Sequence, residues 1–214
     1  MNNTYKSLSR NRRLALCGAF SALVIVLTFT NLGFISFSPV ISITILPIPV
    51  ILAATLGGLP EGIIVGFVMG LMSLIKAAMS PTGVLDPLFV NPLCSVLPRM
   101  LLGVIAWGLW RLLNMIPKMP KTISAAVTGF VATFAHTLMV YGCIFIFNGA
   151  GMKEALASLG MTGVGYFGVV GVGIVSELVE ALASTIVCSA VYAGLFIAGS
   201  RKSKLSVVEE ESAE

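Results

Sequence analysis

Long apolar runs, most of them close to twenty residues and separated by Pro, Gly or charge, are the feature that most restricts this chain. A hydrocarbon core about 30 Å thick takes roughly 20 apolar residues per helix. Inside it each backbone N–H and C=O must be satisfied within the protein, which leaves helices as the solution for runs of this length. With 57% hydrophobic and 10% charged residues and a mean hydropathy of +1.01, the composition lies far from that of soluble domains. The sequence therefore predicts an all-α integral membrane protein, one membrane domain over residues 1–214.

The breaks divide the apolar sequence into six spans, about 14–34, 43–59, 62–79, 94–113, 124–147 and 168–198. They follow "NLGF", the turn "GGLPEG", the polar loop "SPTGVLDPLFVNP", the turn "NMIPKMPK" and the glycine-rich "NGAGMKEALASLGMTGVG". A basic segment of about 1–13 precedes this 14–198 bundle and a polar tail, 199–214, follows it. Of the 13 Lys and Arg, only Lys76, Arg99 and Lys153 do not flank the two termini or the fourth break. An even number of spans puts all the others on one side. The positive-inside rule makes that side the cytoplasm, with both termini in it. The first apolar run exceeds a signal-peptide core and lacks a convincing cleavage site, so it is expected to remain as a span.

Small residues mark expected packing faces. Gly58, Gly62, Gly66 and Gly70 recur every fourth position, a spacing that lets one helix approach another closely. Cys17, Cys94, Cys143 and Cys188 lie singly in apolar surroundings, without metal-ligand spacing. Gly163, Gly165 and Gly168 spell GxGxxG outside the strand-to-helix context that a dinucleotide needs. No GxxxxGK[ST] occurs, so nucleotide hydrolysis of that type would have to come from a partner.

Charges within the membrane are costly and mark candidate sites. A central Arg costs about 2.5 to 3.5 kcal/mol, and Leu, Ile, Val and Phe each recover about 0.3 to 0.6. The nine such residues between Cys94 and Leu113 can offset Arg99. Pro98, taken as the first residue of its helix, would place Arg99 in the first turn beside the positive end of the helix dipole, where an anion is favoured. The competing reading is an internal salt bridge to Glu177 or Glu180. Those two glutamates lie three apart and share a helix face with Ser184. Running antiparallel to them, the fifth span carries His136, Thr137, Tyr141 and Asn148. With Lys76, Asp86 and Asn91, these groups converge on one outward-facing region, read as a small-molecule pocket. Catalysis fits poorly: one histidine makes no histidine-rich metal centre, and no nucleophile has a recognisable His and Asp beside it. No cofactor, metal or nucleic acid is expected.

Six spans, Ala15 and Ala19 as AxxxA at the start of the first, and "TILPIPVILAATLGGLPEGIIVGFVMGLMSLI" followed by a loop and "LPRMLLG" resemble the substrate-binding S components of energy-coupling factor (ECF) transporters. The resemblance is most specific over the first four spans and is supported by "ELVEA" in the sixth. The asparagine-proline before the fourth span, the proline-arginine pair and "LVEA" are most similar to the pantothenate-type members. It implies a bacterial plasma-membrane protein, not an enzyme, that captures a vitamin from outside and associates with a membrane-embedded coupling protein (the T component) and two cytoplasmic ATPases. Ala15 and Ala19 match the motif that contacts the coupling protein, and Glu180 matches the glutamate of "LVEA". Glu177 departs from the family pattern, which leaves the vitamin open. Arg99 is then expected to hold a carboxylate, with Asn91, His136, Tyr141, Glu177 and Glu180 around the remainder of the ligand. The loops "GFISFSPVISI" and "SPTGVLDPLFVNP" are expected to act as lids. Riboflavin or folate would instead favour stacking on Phe89, Tyr141 or Tyr166, and an intramembrane enzyme would use Glu177 and Glu180 as acid and base.

Overall fold

The computed structural model describes residues 9–30, 33–36, 42–81, 85–158, 160–163 and 165–211. Lys6 and most of the basic N-terminal segment lie outside the described residues, as do residues 37–41 and 82–84 of the two expected lids. In chain order the elements are α1 (Arg10–Phe29), a hairpin of β1 (Phe34–Ser36) and β2 (Ser42–Thr44), α2 (Pro47–Leu52, continued as a π-helical turn Ala53–Gly57), and α3 (Leu59–Met79). A 3-10 turn (Asp86–Val90), α4 (Pro92–Leu113), α5 (Lys121–Phe147), α6 (Gly149–Ala157) and α7 (Tyr166–Glu211) complete it. The fold is thus helical with one small antiparallel hairpin, in which Phe34 pairs with Thr44 and Ser36 with Ser42.

Five helices among the described residues are long and apolar enough to cross a membrane: α1, α3, α4, α5 and the Gly173–Ala198 part of α7. The expected second span, 43–59, is different. Its β-branched start, "SITI", pairs as β2, and helix begins only at Pro47, where the fixed φ of proline suits a first turn. Gly58, at φ +122°, then stops the helix in a conformation that disfavours side chains. What remains, Pro47–Gly57, is about 16 Å long at 1.5 Å per residue. Pro47 to Ala54 are all buried, so their apolarity serves protein packing rather than lipid contact. Periodicity does not separate those two situations. α2 nevertheless carries the chain from the end of α1 back to the level of its start, since Arg13 at the start of α1 pairs with Glu61 at the start of α3.

α1 packs on α3, α3 on α4, α4 on α5 and α5 on α7, with α2 touching all five. The glycine spacing explains the closest of these contacts. A Cβ on Gly62 would lie 2.6 Å from that of Ala54 and 3.2 Å from the Gly103 carbonyl oxygen, and one on Gly70 would lie 2.6 Å from Cα of Val96. On Gly66 it would overlap the Arg99 carbonyl. Backbone therefore meets backbone along the antiparallel α3–α4 pair, while Gly58 serves as a cap instead. Opposite, Gly129 lets α5 approach the Ser184 carbonyl of α7, 2.8 Å from an added Cβ. At the hairpin end of the bundle a second apolar cluster of Leu88, Cys94, Val140, Ile144, Met152, Leu156 and Val169 holds the 3-10 turn and α6 over the helices.

Two further boundaries correct the sequence reading. α4 begins at Pro92, not Pro98: Asn91 caps it by accepting the Leu93 N–H at 3.0 Å, and Pro92 occupies the first helical position. The glycine-rich fifth break contains α6, and α7 continues beyond the expected end at 198 to Glu211.

Candidate functional site

Arg99 lies well inside α4, about 10 Å below Pro92 at 1.5 Å per residue. It is therefore beyond the first turn, where the positive end of the helix dipole acts. It is only 7% exposed, and its immediate partners are main-chain carbonyls. Nη1 donates to the Cys94 and Ser95 oxygens, both at 2.9 Å. In a regular helix the Cys94 carbonyl would accept from the residue four positions on, but that residue is Pro98, which has no N–H. The arginine thus supplies the donor that the proline withholds. On another side Phe89 of the 3-10 turn places its ring 4.9 Å from the guanidinium carbon, a cation–π contact. Phe89 is itself held by the Ser95 hydroxyl, which donates to its carbonyl. Nε of Arg99 is buried without a hydrogen-bond partner.

Neither glutamate pairs with this arginine. Glu61 pairs with Arg13 at the other end of the bundle, and the internal salt bridge of Arg99 to Glu177 or Glu180, the competing reading of the sequence, is not formed. His136 on α5 lies within electrostatic reach of Arg99. It is 4% exposed, and both its ring nitrogens are without hydrogen-bond partners. The Cys94 thiol faces the Cys143 carbonyl at 3.6 Å, tying α4 to α5 beside this pair.

The carboxylates form the facing side. Glu177 and Glu180 are each 6% exposed on α7. Oε1 of Glu180 accepts the backbone N–H of Thr44 at 2.7 Å, which fastens β2 to α7. Oε1 of Glu177 has no hydrogen-bond partner. Beside it, Thr137, Tyr141, Gly173 and Ile174 line a crevice between α5 and α7 with about 200 Å³ of empty space, open solvent included. Only about 10 Å³ of it has room for the centre of a water molecule, far below the roughly 300–1,000 Å³ of a formed small-molecule site. Tyr141 reaches this crevice because Gly173 has no side chain; a Cβ there would lie 2.6 Å from the tyrosine oxygen. Lower down, Thr133 donates to the Ser184 hydroxyl at 2.9 Å.

Arg99 and His136 are therefore brought together on α4 and α5, and Tyr141, Glu177 and Glu180 on α5 and α7. Asn91 is not part of either group: its side chain caps α4. Thr44, Phe89 and Pro98 join the site without having been singled out for these roles, although the adjacency of Pro98 and Arg99 was visible; Thr137 lines the crevice, as its place among the polar groups of the fifth span led one to expect. Ala15 and Ala19 are exposed on α1, distant in sequence from all of these, on a face that includes Gly18 and Ala22. An added Cβ on Gly18 would meet nothing within 4 Å. Among the described residues no group of three or more His, Cys, Asp or Glu is placed to hold a metal ion.

A family model described as "ECF transporter, substrate-specific component" matches residues 12–192. The chain is also similar to a protein named "Pantothenic acid transporter PanT" from Lactococcus lactis subsp. cremoris. The two are 25% identical over 165 residues, which cover 71% of this chain and 81% of that protein.

Proposed function

Since the chain belongs to the family of ECF transporter substrate-specific components, and so is a transporter subunit and not an enzyme, we propose that it captures a small carboxylate-bearing vitamin, pantothenate first among them, for ATP-driven uptake. The observation that carries this reading is Arg99: a permanent charge buried between α4 and α5 with Nε still without a partner. A carboxylate is the ligand group that such a donor takes best. Pantothenate adds an amide and two hydroxyls; the unpartnered oxygen of Glu177 offers an acceptor for them, and the neutral ring of His136 offers one acceptor and one donor. The similarity to the lactococcal pantothenic acid transporter points the same way.

The basic residues favour an orientation with both termini cytoplasmic. The chain then passes six times between the two faces, α2 with the hairpin making the second passage, and the hairpin end faces outside. The exposed Ala15–Ala19 face of α1 is where a helix of a membrane-embedded coupling protein would pack, since small residues let two helices approach. Two cytoplasmic ATPases complete the assembly, in the plasma membrane of a bacterium. Riboflavin or folate is less favoured by the aromatic residues. The Phe89 ring is occupied by Arg99, and Tyr166 stacks edgewise on Phe145 and Phe167 while its hydroxyl donates to the Leu138 carbonyl.

Gentle purification followed by mass spectrometry of the retained small molecule tests the proposal. Pantothenate is the expected product, and reproducible recovery of a different vitamin overturns the substrate.

A further inference from the structure

Arg99 presents an unusual division of its donors. Guanidinium carries five N–H groups in a fixed plane, and the two on Nη1 are directed at the Cys94 and Ser95 carbonyls, both at 2.9 Å. Nη1 is the nitrogen on the side of Cδ. The edge that remains is Nε with Nη2, the side-on fork that matches the two oxygens of a carboxylate. Nε, one half of that fork, is buried and without a partner. What holds Nη1 in place is local. The Cys94 carbonyl is available because residue 98 is a proline, and a helical arginine side chain leans towards the N-terminal turn in which that carbonyl lies. The Phe89 ring restrains the guanidinium from a further side.

We propose that Pro98 is a positioning residue for ligand capture: by leaving the Cys94 carbonyl without its helical N–H, it docks Nη1 of Arg99 and keeps the Nε–Nη2 edge for the carboxylate of the ligand. This rests on the reading of Arg99 as the carboxylate anchor. Pro98 touches no ligand atom. Its effect is to confine a long side chain, rich in rotamers when free, to the geometry that binding requires. An alanine at 98 restores the helix hydrogen bond to Cys94, and the arginine is released to sample other rotamers.

The test compares Pro98→Ala, Arg99→Lys and the double variant in the purified full-length chain. Binding of pantothenate and of its alcohol analogue, panthenol, is measured by calorimetry, together with the thermal midpoint of the ligand-free protein. Pro98→Ala is expected to weaken pantothenate binding about tenfold, leave panthenol binding within about twofold, and keep or raise the thermal midpoint. Arg99→Lys should lose the same discrimination, since lysine has no side-on fork, and the double variant should be no worse than Arg99→Lys alone. An equal loss for both ligands in Pro98→Ala overturns the positioning role, as does unchanged binding of both. If Arg99→Lys binds pantothenate as the parent does, the anchor reading itself fails. If the arginine variants lose binding while Pro98→Ala does not, only the positioning role fails.

Discussion

The backbone N–H of Thr44 donates to Oε1 of Glu180 at 2.7 Å, so the β-hairpin is fastened to α7 through a carboxylate that is itself buried among the site residues. The contact joins positions far apart in sequence and closes one side of the region between α5 and α7. A hydrogen bond of this kind is worth about 0.5 to 1.5 kcal/mol net.

Glu180→Ala should therefore free the hairpin and speed ligand dissociation by about twofold to tenfold. Glu180→Gln keeps an acceptor oxygen at the same place and should lose far less. Stopped-flow or filter-binding measurement of the off-rate in the three proteins checks the order. An equal effect of both substitutions would show that the charge, and not the fastening of Thr44, is what the ligand requires.

At the opposite end of the bundle Arg13 holds Glu61 with two hydrogen bonds, Nε to Oε1 at 2.9 Å and Nη2 to Oε2 at 2.8 Å. The glutamate also sits in the first turn of α3, where a negative charge complements the helix dipole. The preceding glycines make room for it: a Cβ on Gly57 would lie 2.8 Å from Cβ of Glu61. Arg13→Gln and Glu61→Gln should each lower the thermal midpoint slightly, and the double variant should lower it no further than the stronger single one. Additive losses in such a cycle would mean the two side chains act separately.

How much of this was legible follows from the range of each interaction. The long helices were readable because the bilayer sets their length, and the α3–α4 contact because one glycine every fourth residue states its own face. α2 was read as an ordinary span because a helix buried in protein and one immersed in lipid are both apolar all round. The start of α4 was misplaced at Pro98 although a stronger signal preceded it. Asn91 followed by Pro92 is a capping residue before a first-position proline. That error moved Arg99 into a first turn that it does not occupy. The contacts of Glu180 with Thr44 and of Arg13 with Glu61 join positions 136 and 48 residues apart, and no local pattern announces them. The placing of Tyr141 opposite Glu177 was visible from helix periodicity and antiparallel order, whereas the carbonyl partners of Arg99 depend on backbone geometry alone.

Gly66 offers a direct way to disturb both packing and site. A methyl group there would overlap the Arg99 carbonyl, so Gly66→Ala must push α3 from α4 and shift the backbone that carries the arginine. Overpacking of this type costs about 1 to 3 kcal/mol, and carboxylate affinity should fall with it. Gly108→Ala, where an added Cβ meets nothing within 4 Å, should be neutral or stabilise by about 1 kcal/mol, as alanine does over glycine in a helix. Thermal unfolding of both variants in detergent, with a ligand titration of each, checks the contrast.

The α1 face separates folding from assembly. Gly18 lies between the exposed Ala15 and Ala19, and an added Cβ there meets no described residue within 4 Å, so Gly18→Leu adds bulk on an open face. Ligand binding and thermal midpoint should be unchanged in the isolated protein. In cells that carry the coupling protein and its ATPases, uptake and co-purification of the complex should both be lost, because a leucine there holds a packing helix away by the width of its side chain. Undiminished uptake by Gly18→Leu would place the coupling surface elsewhere on the chain.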